Sequence, residues 1–330
     1  MAAISDDGKE LVCTALNPGI SQPVTSVFLL NVLYPPEKPR VEGHREQVIA
    51  GETLDLVCTS RRGNPLATLQ WVKEDVVLSR VWETDVLTRS SRSVLSYVTE
   101  PQDNGVRLSC EALNEVTRTP LTTVITLHVL FPPRSVLILG SPSVFEGHPL
   151  VLSCVSSHSN PAAQLRWYGN GKELNGFELS HMEGGREGVT TMSNVTIVTT
   201  RHDNGMTVVC EAVNQALFIS QSASVIISVY YPPERIWIQG PPQDSSFLPG
   251  SEVTLSCFTS GGNPLAQLLW TKDAKVLPHG LSQRTGNLAV STLTITADAS
   301  DNLAVYQCRA RNPATQTPLT AHTSIRVQCE

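Results

Sequence analysis

The chain has 330 residues, 41% of them hydrophobic and 16% charged, with a net charge of -6. This is a globular composition without a collagen period or low-complexity tract. Its mild negative balance excludes nucleic-acid binding, which takes clustered Lys and Arg to neutralise phosphates, and its longest basic cluster is the loop pair Arg61-Arg62.

The opening stretch Met1 to Lys9, MAAISDDGK, lacks the basic and apolar regions of a secretory leader. No run of about 18 apolar residues follows that could span a bilayer. A block reading DDGKELVCTALN (6–17) leads into a strand and the junction Tyr34-Pro35-Pro36. The pattern then becomes complete. Thr53-Leu54-Asp55-Leu56-Val57-Cys58 predicts a strand with every second side chain on one face. CTSRRGNPLATLQW (58–71) follows, then DNGVRLSCEALN (103–114) and the junction Phe131-Pro132-Pro133. A further round reads CVSSHSNPAAQLRW (154–167), DNGMTVVCEAVN (203–214) and Tyr231-Pro232-Pro233. The last reads CFTSGGNPLAQLLW (257–270) and DNLAVYQCRARN (301–312), with Cys329 where the junction aromatic is expected. Gly, Pro, Asn and Ser clusters between the strands supply turns, and no helical period competes.

A Cys, a Trp 13 residues later and a second Cys about 50 residues on form the immunoglobulin spacing, in which the cysteines bridge two sheets and the Trp packs on the bridge. The expected fold is therefore all-β, with tandem immunoglobulin-like, constant-type β-sandwiches arranged as an extended rod. The expected units are 1–34, the C-terminal part of a domain, then 35–131, 132–231 and 232–330. The expected bridges are Cys58–Cys110, Cys154–Cys210 and Cys257–Cys308, over core residues Trp71, Trp167 and Trp270. Each bridge closes a loop worth about 4 kcal/mol in chain entropy. Complete pairing points to an oxidising compartment, and the absence of C-x2-C spacing speaks against zinc. A tyrosine two residues before the second Cys stands only at Tyr306, with Leu11, Leu108 and Val208 at the counterpart positions; this departs from the variable and intermediate types. Cys13 and Cys329 have no expected partner. Both ends read as cut, so the sequence is expected to be part of a longer chain.

The motifs G-N-P-L-A-x-L-x-W (Gly63–Trp71 and Gly262–Trp270) and D-N-G-x4-C-E-A-x-N (Asp103–Asn114 and Asp203–Asn214), with the Tyr/Phe-Pro-Pro junctions, resemble the nephrin-like cell-recognition proteins, including the insect sticks-and-stones and hibris type. The resemblance covers nearly the whole chain. It implies a stretch of a single-pass receptor ectodomain serving cell-cell adhesion. It also implies an extracellular location, other immunoglobulin-superfamily surface proteins as homophilic or heterophilic partners, and membrane attachment only through a segment absent from this chain. Two other readings share the fold: a secreted decoy or pattern-recognition protein, and an intracellular structural array, which paired cysteines oppose. No G-x-S-x-G, P-loop, metal cluster or carboxylate pair points to an enzyme, a cofactor or a bound metal.

Sandwiches recognise proteins through sheet faces and loops. Candidate contacts follow each core Trp: Lys73 with Glu74 and Asp75, Tyr168 with Lys172, and Lys272 with Asp273 and Lys275. Tyr168 is preferred, because exposed aromatics are enriched at hot spots. Trp237 is expected at a domain boundary, and Trp82 reads equally as an exposed anchor or a core plug. Asn194-Val195-Thr196 is a glycosylation sequon on a strand whose Val195 and Ile197 turn inward, which turns Asn194 outward. The Pro-Pro junctions favour a semi-rigid connection, and three units of strand-and-loop length make a rod near about 110 Å.

Overall fold

The computed structural model describes residues 2–19, 21–242, 245–277 and 281–328. Its regular elements among these residues are strands and single 3-10 turns. Glu10–Ala15 and Val24–Leu29 pair as an antiparallel hairpin with all side chains exposed. Each of the three following units is a sandwich.

In the second unit one sheet orders Arg40–Glu42, Thr53–Arg61, Ser90–Val98 and Glu83–Asp85. The facing sheet orders Leu121–Thr126, Arg107–Leu113, Thr68–Lys73 and Val76–Ser79. The third unit repeats this with Val136–Leu139, Pro149–Ser156, Val189–Val198 and Glu178–Glu183 against Ile219–Ile226, Thr207–Asn214, Gln164–Gly169 and Lys172–Leu174. The fourth does so with Arg235–Gln239, Glu252–Ser260, Leu288–Thr296 and Leu281–Thr285 against Leu319–Ser324, Val305–Arg311, Gln267–Lys272 and Lys275–Val276.

Alternation sets the layers: along Thr53–Arg61, Leu54, Leu56, Cys58 and Ser60 are buried and the residues between them are not. The disulfides Cys58–Cys110, Cys154–Cys210 and Cys257–Cys308 cross each core with Cα atoms 6.4 Å apart. Trp71, Trp167 and Trp270 lie opposite Cys110, Cys210 and Cys308 in register, buried against the bridges.

The constant plan sets four strands over three; here the second sheet has a fourth strand after the Trp strand. In addition, a short segment pairs parallel to the end of each unit: Val48–Ile49 on Val129–Leu130, Ser143–Phe145 on Ser228–Tyr230, and Ser246–Phe247 on Arg326–Val327. Glycine permits the crossing between sheets. Gly43 has φ +85° and a Cβ there would stand 2.1 Å from the Asp55 carbonyl oxygen; at Gly140, with φ +118°, it would stand 2.8 Å from that of Val151. Only a residue without Cβ lets the first strand leave its partner so closely.

Candidate functional site: interdomain seams and outer sheet faces

The repeated motifs meet where one unit joins the next. At each junction the aromatic residue and the Asn of the N-P pair exchange backbone hydrogen bonds: Tyr34 with Asn64, Phe131 with Asn160, Tyr231 with Asn263, all at 2.9–3.1 Å. The carboxamide of that Asn reaches back into the preceding unit. Asn64 Nδ2 donates to Asp7 Oδ1 (3.2 Å) and the Val32 carbonyl (3.0 Å). Asn160 Nδ2 donates to Asn104 Oδ1 (3.2 Å) and the Val129 carbonyl (2.7 Å), and Asn263 Nδ2 to Asn204 Oδ1 (3.0 Å) and the Val229 carbonyl (2.9 Å). The accepting Asp or Asn belongs to the D-D-G or D-N-G turn. It also accepts from the backbone N–H of Val32, Val129 or Val229.

A third asparagine closes the seam from inside the following unit. Asn114, Asn214 and Asn312 each donate Nδ2 to the junction aromatic's carbonyl and to the carbonyl of Pro65, Pro161 or Pro264. The motif residues thus satisfy backbone groups that a junction without a regular sheet leaves orphaned. None of these asparagines was a sequence candidate, although their recurrence in phase was visible.

Each seam also has an arginine brace. Arg89 donates to Asp7 Oδ2 at 3.3 Å and to the Tyr34 hydroxyl at 2.7 Å. Arg186 pairs with Glu74 across the next seam. At the last, Arg201 bonds Glu146 of its own unit (2.9 Å) and Glu234 of the next (2.8 Å), with its guanidinium 5.6 Å from the Tyr231 ring centre. Hydrogen bonds donated to these two carboxylates hold the Arg201 pKa above its ordinary value, and the bond from Arg201 holds Glu146 below the usual carboxylate range. Exposed pairs of this kind contribute about 0–1 kcal/mol each, so they orient more than they stabilise.

Lys73 and Lys272, expected as surface contacts, are occupied inside their domains. Lys73 lies opposite buried Leu108 in register, two residues beyond Trp71 and hence on the inward side. Its ammonium pairs with the fully buried carboxylate of Asp103 and donates to the Tyr97 hydroxyl at 2.8 Å, which donates in turn to Asp103 Oδ1 at 2.9 Å. Desolvation works against the charge, but the bonds to Asp103 and Tyr97 prevail and raise the Lys73 pKa. Lys272 makes the equivalent pair with Asp301, whose Oδ1 accepts from Tyr306 at 2.6 Å. Burial would raise the Asp301 pKa; the bonds from Lys272 and Tyr306 lower it below the ordinary value. Tyr306 is pushed up by burial and by Asp301.

The third unit has Gly169 at the matching position. Tyr168, one residue after Trp167, turns to the outer face, half-buried, with its hydroxyl 3.4 Å from Glu211 Oε2. Lys172 is exposed but pairs in register with Gly169, while Tyr168 pairs with Glu173. The pleat therefore separates the two candidates.

Asn194 is exposed on its strand. Trp237 stacks on Phe258 at 5.4 Å on the outer face of its own sheet, and Trp82 is partly exposed beside exposed Val81. Cys13 is an exposed free thiol, and Cys329 lies outside the described residues.

Residues 38–129 and 235–312 match families described as immunoglobulin domain, and residues 136–218 match the CD80-like C2-set immunoglobulin domain. Human nephrin (Homo sapiens) is 38% identical over 96% of this chain and 27% of its own length, so the chain spans about a quarter of that relative. Cell adhesion molecule 2 of Rattus norvegicus is 31% identical over 58% of this chain and 43% of that protein. Among solved structures, the full Ig1–Ig3 ectodomain of mouse nectin-like molecule 4 aligns with a TM-score of 0.50 and 25% identity, covering 86% of this chain and 97% of that one. With bridged sandwiches in three successive units and a seam at each junction, the chain belongs to the nephrin-like members of the immunoglobulin superfamily.

Proposed function

We propose that the chain is a recognition segment of a cell-surface adhesion receptor, with units divided at 34/35, 131/132 and 231/232. The seam is the observation that carries the reading: the same three motif positions tie each unit to the next, three times in succession. A linker that only tethers needs no such hydrogen bonding, whereas an adhesion array gains from holding its outer faces at fixed spacing, because weak contacts then act together through effective concentration. The likeness to human nephrin and to a cell adhesion molecule supports the same reading.

In this reading the segment is extracellular, its bridges form in an oxidising compartment, and its partners are immunoglobulin-superfamily proteins of the same or a facing cell, homophilic or heterophilic. No helix among the described residues is long and apolar enough to cross a membrane. Binding and spacing, not catalysis, are the proposed activity. Tyr168 is the proposed anchor, on a face with Arg166 and Glu211 beside it, and Lys172 marks the adjoining edge.

The test uses beads coated with the secreted chain, mixed with one another and with beads carrying other immunoglobulin-superfamily ectodomains. Clustering that falls on Tyr168→Ala is expected. No clustering in either mixture overturns the recognition claim, and small-angle scattering that shows a collapsed particle in place of a rod near about 110 Å overturns the spacing claim.

A further inference from the structure

The three sandwiches present the same outer sheet face with different chemistry. In the second unit the outward rows carry Arg40, Glu42, Asp55, Arg92 and Glu83 with Val57, Val94 and Val98 among them, and Ser96 donates to Asp55 Oδ1 at 2.6 Å. In the fourth they carry a ladder of hydroxyls, Thr254 beside Thr294 and Ser256 beside Thr292, with Trp237 and Phe258 stacked at one end. Charges and hydroxyls suit faces that meet water.

The third unit carries more apolar side chains on this face than either of the others. Its outward rows carry Leu137 and Leu139 on one strand, Val151 and Val155 on the next, and Met192 and Val198 on the third. Leu137 is 59% exposed, Val151 52% and Val198 69%. A sheet face with this many exposed apolar side chains invites association with other chains.

In the middle of it stands the sequon. Asn194 lies in register with Ser153 on one side and Glu178 on the other, with Leu139 next beyond Ser153 in the same row. Val151 and Thr196 form the row above, and Val155 and Met192 the row below. The Ser153 hydroxyl donates to Asn194 Oδ1 at 2.7 Å. That bond holds the carboxamide by its oxygen and leaves Nδ2, the atom that takes a sugar, without a hydrogen-bond partner among the described residues.

We infer that Asn194 carries an N-linked glycan that lies over the apolar outer face of the third unit and keeps it from associating. The only sequon of the chain sits on the most apolar of the three faces, and a bulky, strongly hydrated group there shields it. The bond formed joins Asn194 Nδ2 to the first sugar of a lipid-linked oligosaccharide, with the lipid pyrophosphate as leaving group and the amide proton released. The face is thereby closed to protein partners, so recognition by this unit falls to the opposite sheet, where Tyr168 lies. The inference rests on the extracellular reading, since such glycans are added in the secretory route.

The test is to express the whole chain in animal cells behind an added leader. Mass mapping is expected to find a glycan on Asn194, kept in Thr196→Ser and lost in Asn194→Gln and Thr196→Ala. By sedimentation, Asn194→Gln is expected to self-associate at about tenfold lower concentration than the glycosylated chain. Adding Leu137→Thr and Val151→Thr to Asn194→Gln is expected to restore the monomer. A secreted, fully bridged chain with bare Asn194 overturns the modification; a glycosylated chain whose Asn194→Gln form stays equally monomeric overturns the covering role. Retention of the chain in the cell with reduced cysteines instead tells against the extracellular reading, which keeps the two failures apart.

Discussion

The second and third units share a plan and differ in how they fill one position inside it. Two residues past the core Trp the pleat points inward, so whatever stands there enters the sandwich. The second unit puts Lys73 there and surrounds its ammonium with Asp103 and Tyr97. The third puts Gly169 there, and Met206 and Leu174 close the space, with a Cβ at Gly169 falling 3.2 Å from Met206 Sδ and 3.3 Å from Leu174 Cδ2. The turn aspartate is kept in both: Asp103 accepts from the Glu100 N–H and Asp203 from the Thr200 N–H. Architecture fixes the position and leaves its chemistry free, provided the space is filled and each buried polar group has a partner.

The comparison breaks most visibly at the aspartates. Asp103→Ala strands a part-buried ammonium and is expected to cost about 3 kcal/mol, the lower end for a broken buried pair because Lys73 keeps some solvent. Asp203→Ala removes only a turn cap, about 1 kcal/mol. Amide hydrogen exchange in the whole chain, read separately on Thr68–Lys73 and Gln164–Gly169, distinguishes the two; equal losses would mean that the lysine pair contributes nothing.

Next comes Gly169→Lys, which supplies the missing lysine next to a retained aspartate. Crowding by Met206 is expected to make it destabilising by about 1–3 kcal/mol, with part of the loss recovered in Gly169→Lys, Met206→Ala. A stabilised single variant would show that charge, not volume, rules the position.

Alkali should separate the units as well. The raised Lys73 pKa means stability that is present below the unfolded lysine value of about 10.4 and is lost as pH rises toward the folded value. Tyr97 and Tyr306, also raised, act in the same sense above about pH 10. The second and fourth units should therefore lose protection before the third on an alkaline titration followed by hydrogen exchange. Acid acts on the fourth unit through Asp301: its depressed pKa gives stability that is present above about 3.9 and fades as pH falls through the folded value.

The smallest effect belongs to the seams common to both units. Asn160→Ala removes two hydrogen bonds that run between units without touching either core. Unit melting should hardly move, while small-angle scattering should report a wider spread of shapes.

The period-2 pattern and the Cys-Trp-Cys spacing carried most of the fold, because side-chain alternation and the reach of a bridge are local constraints that recur three times in the chain. The same pattern already placed Lys73 and Lys272 inward, at Trp+2; reading them as surface groups weighed charge above register. Tyr168, at Trp+1, followed the pleat to the outside. The parallel end pairs were not legible, since they depend on where the first strand can leave its partner, at Gly43 and Gly140.

By itself, then, the sequence determined the sandwiches, the bridge partners' spacing, the outward turn of Asn194 and the likeness to nephrin-like proteins. Only the tertiary structure decided what the asparagines of the repeated motifs do. Their long-range partners lie 25 to 83 residues away in the chain, and a hydrogen bond across a seam leaves no local period behind. It also decided that Leu137, Val151 and Met192 share a face with Asn194, because strand order, not sequence distance, sets which side chains lie together on a sheet.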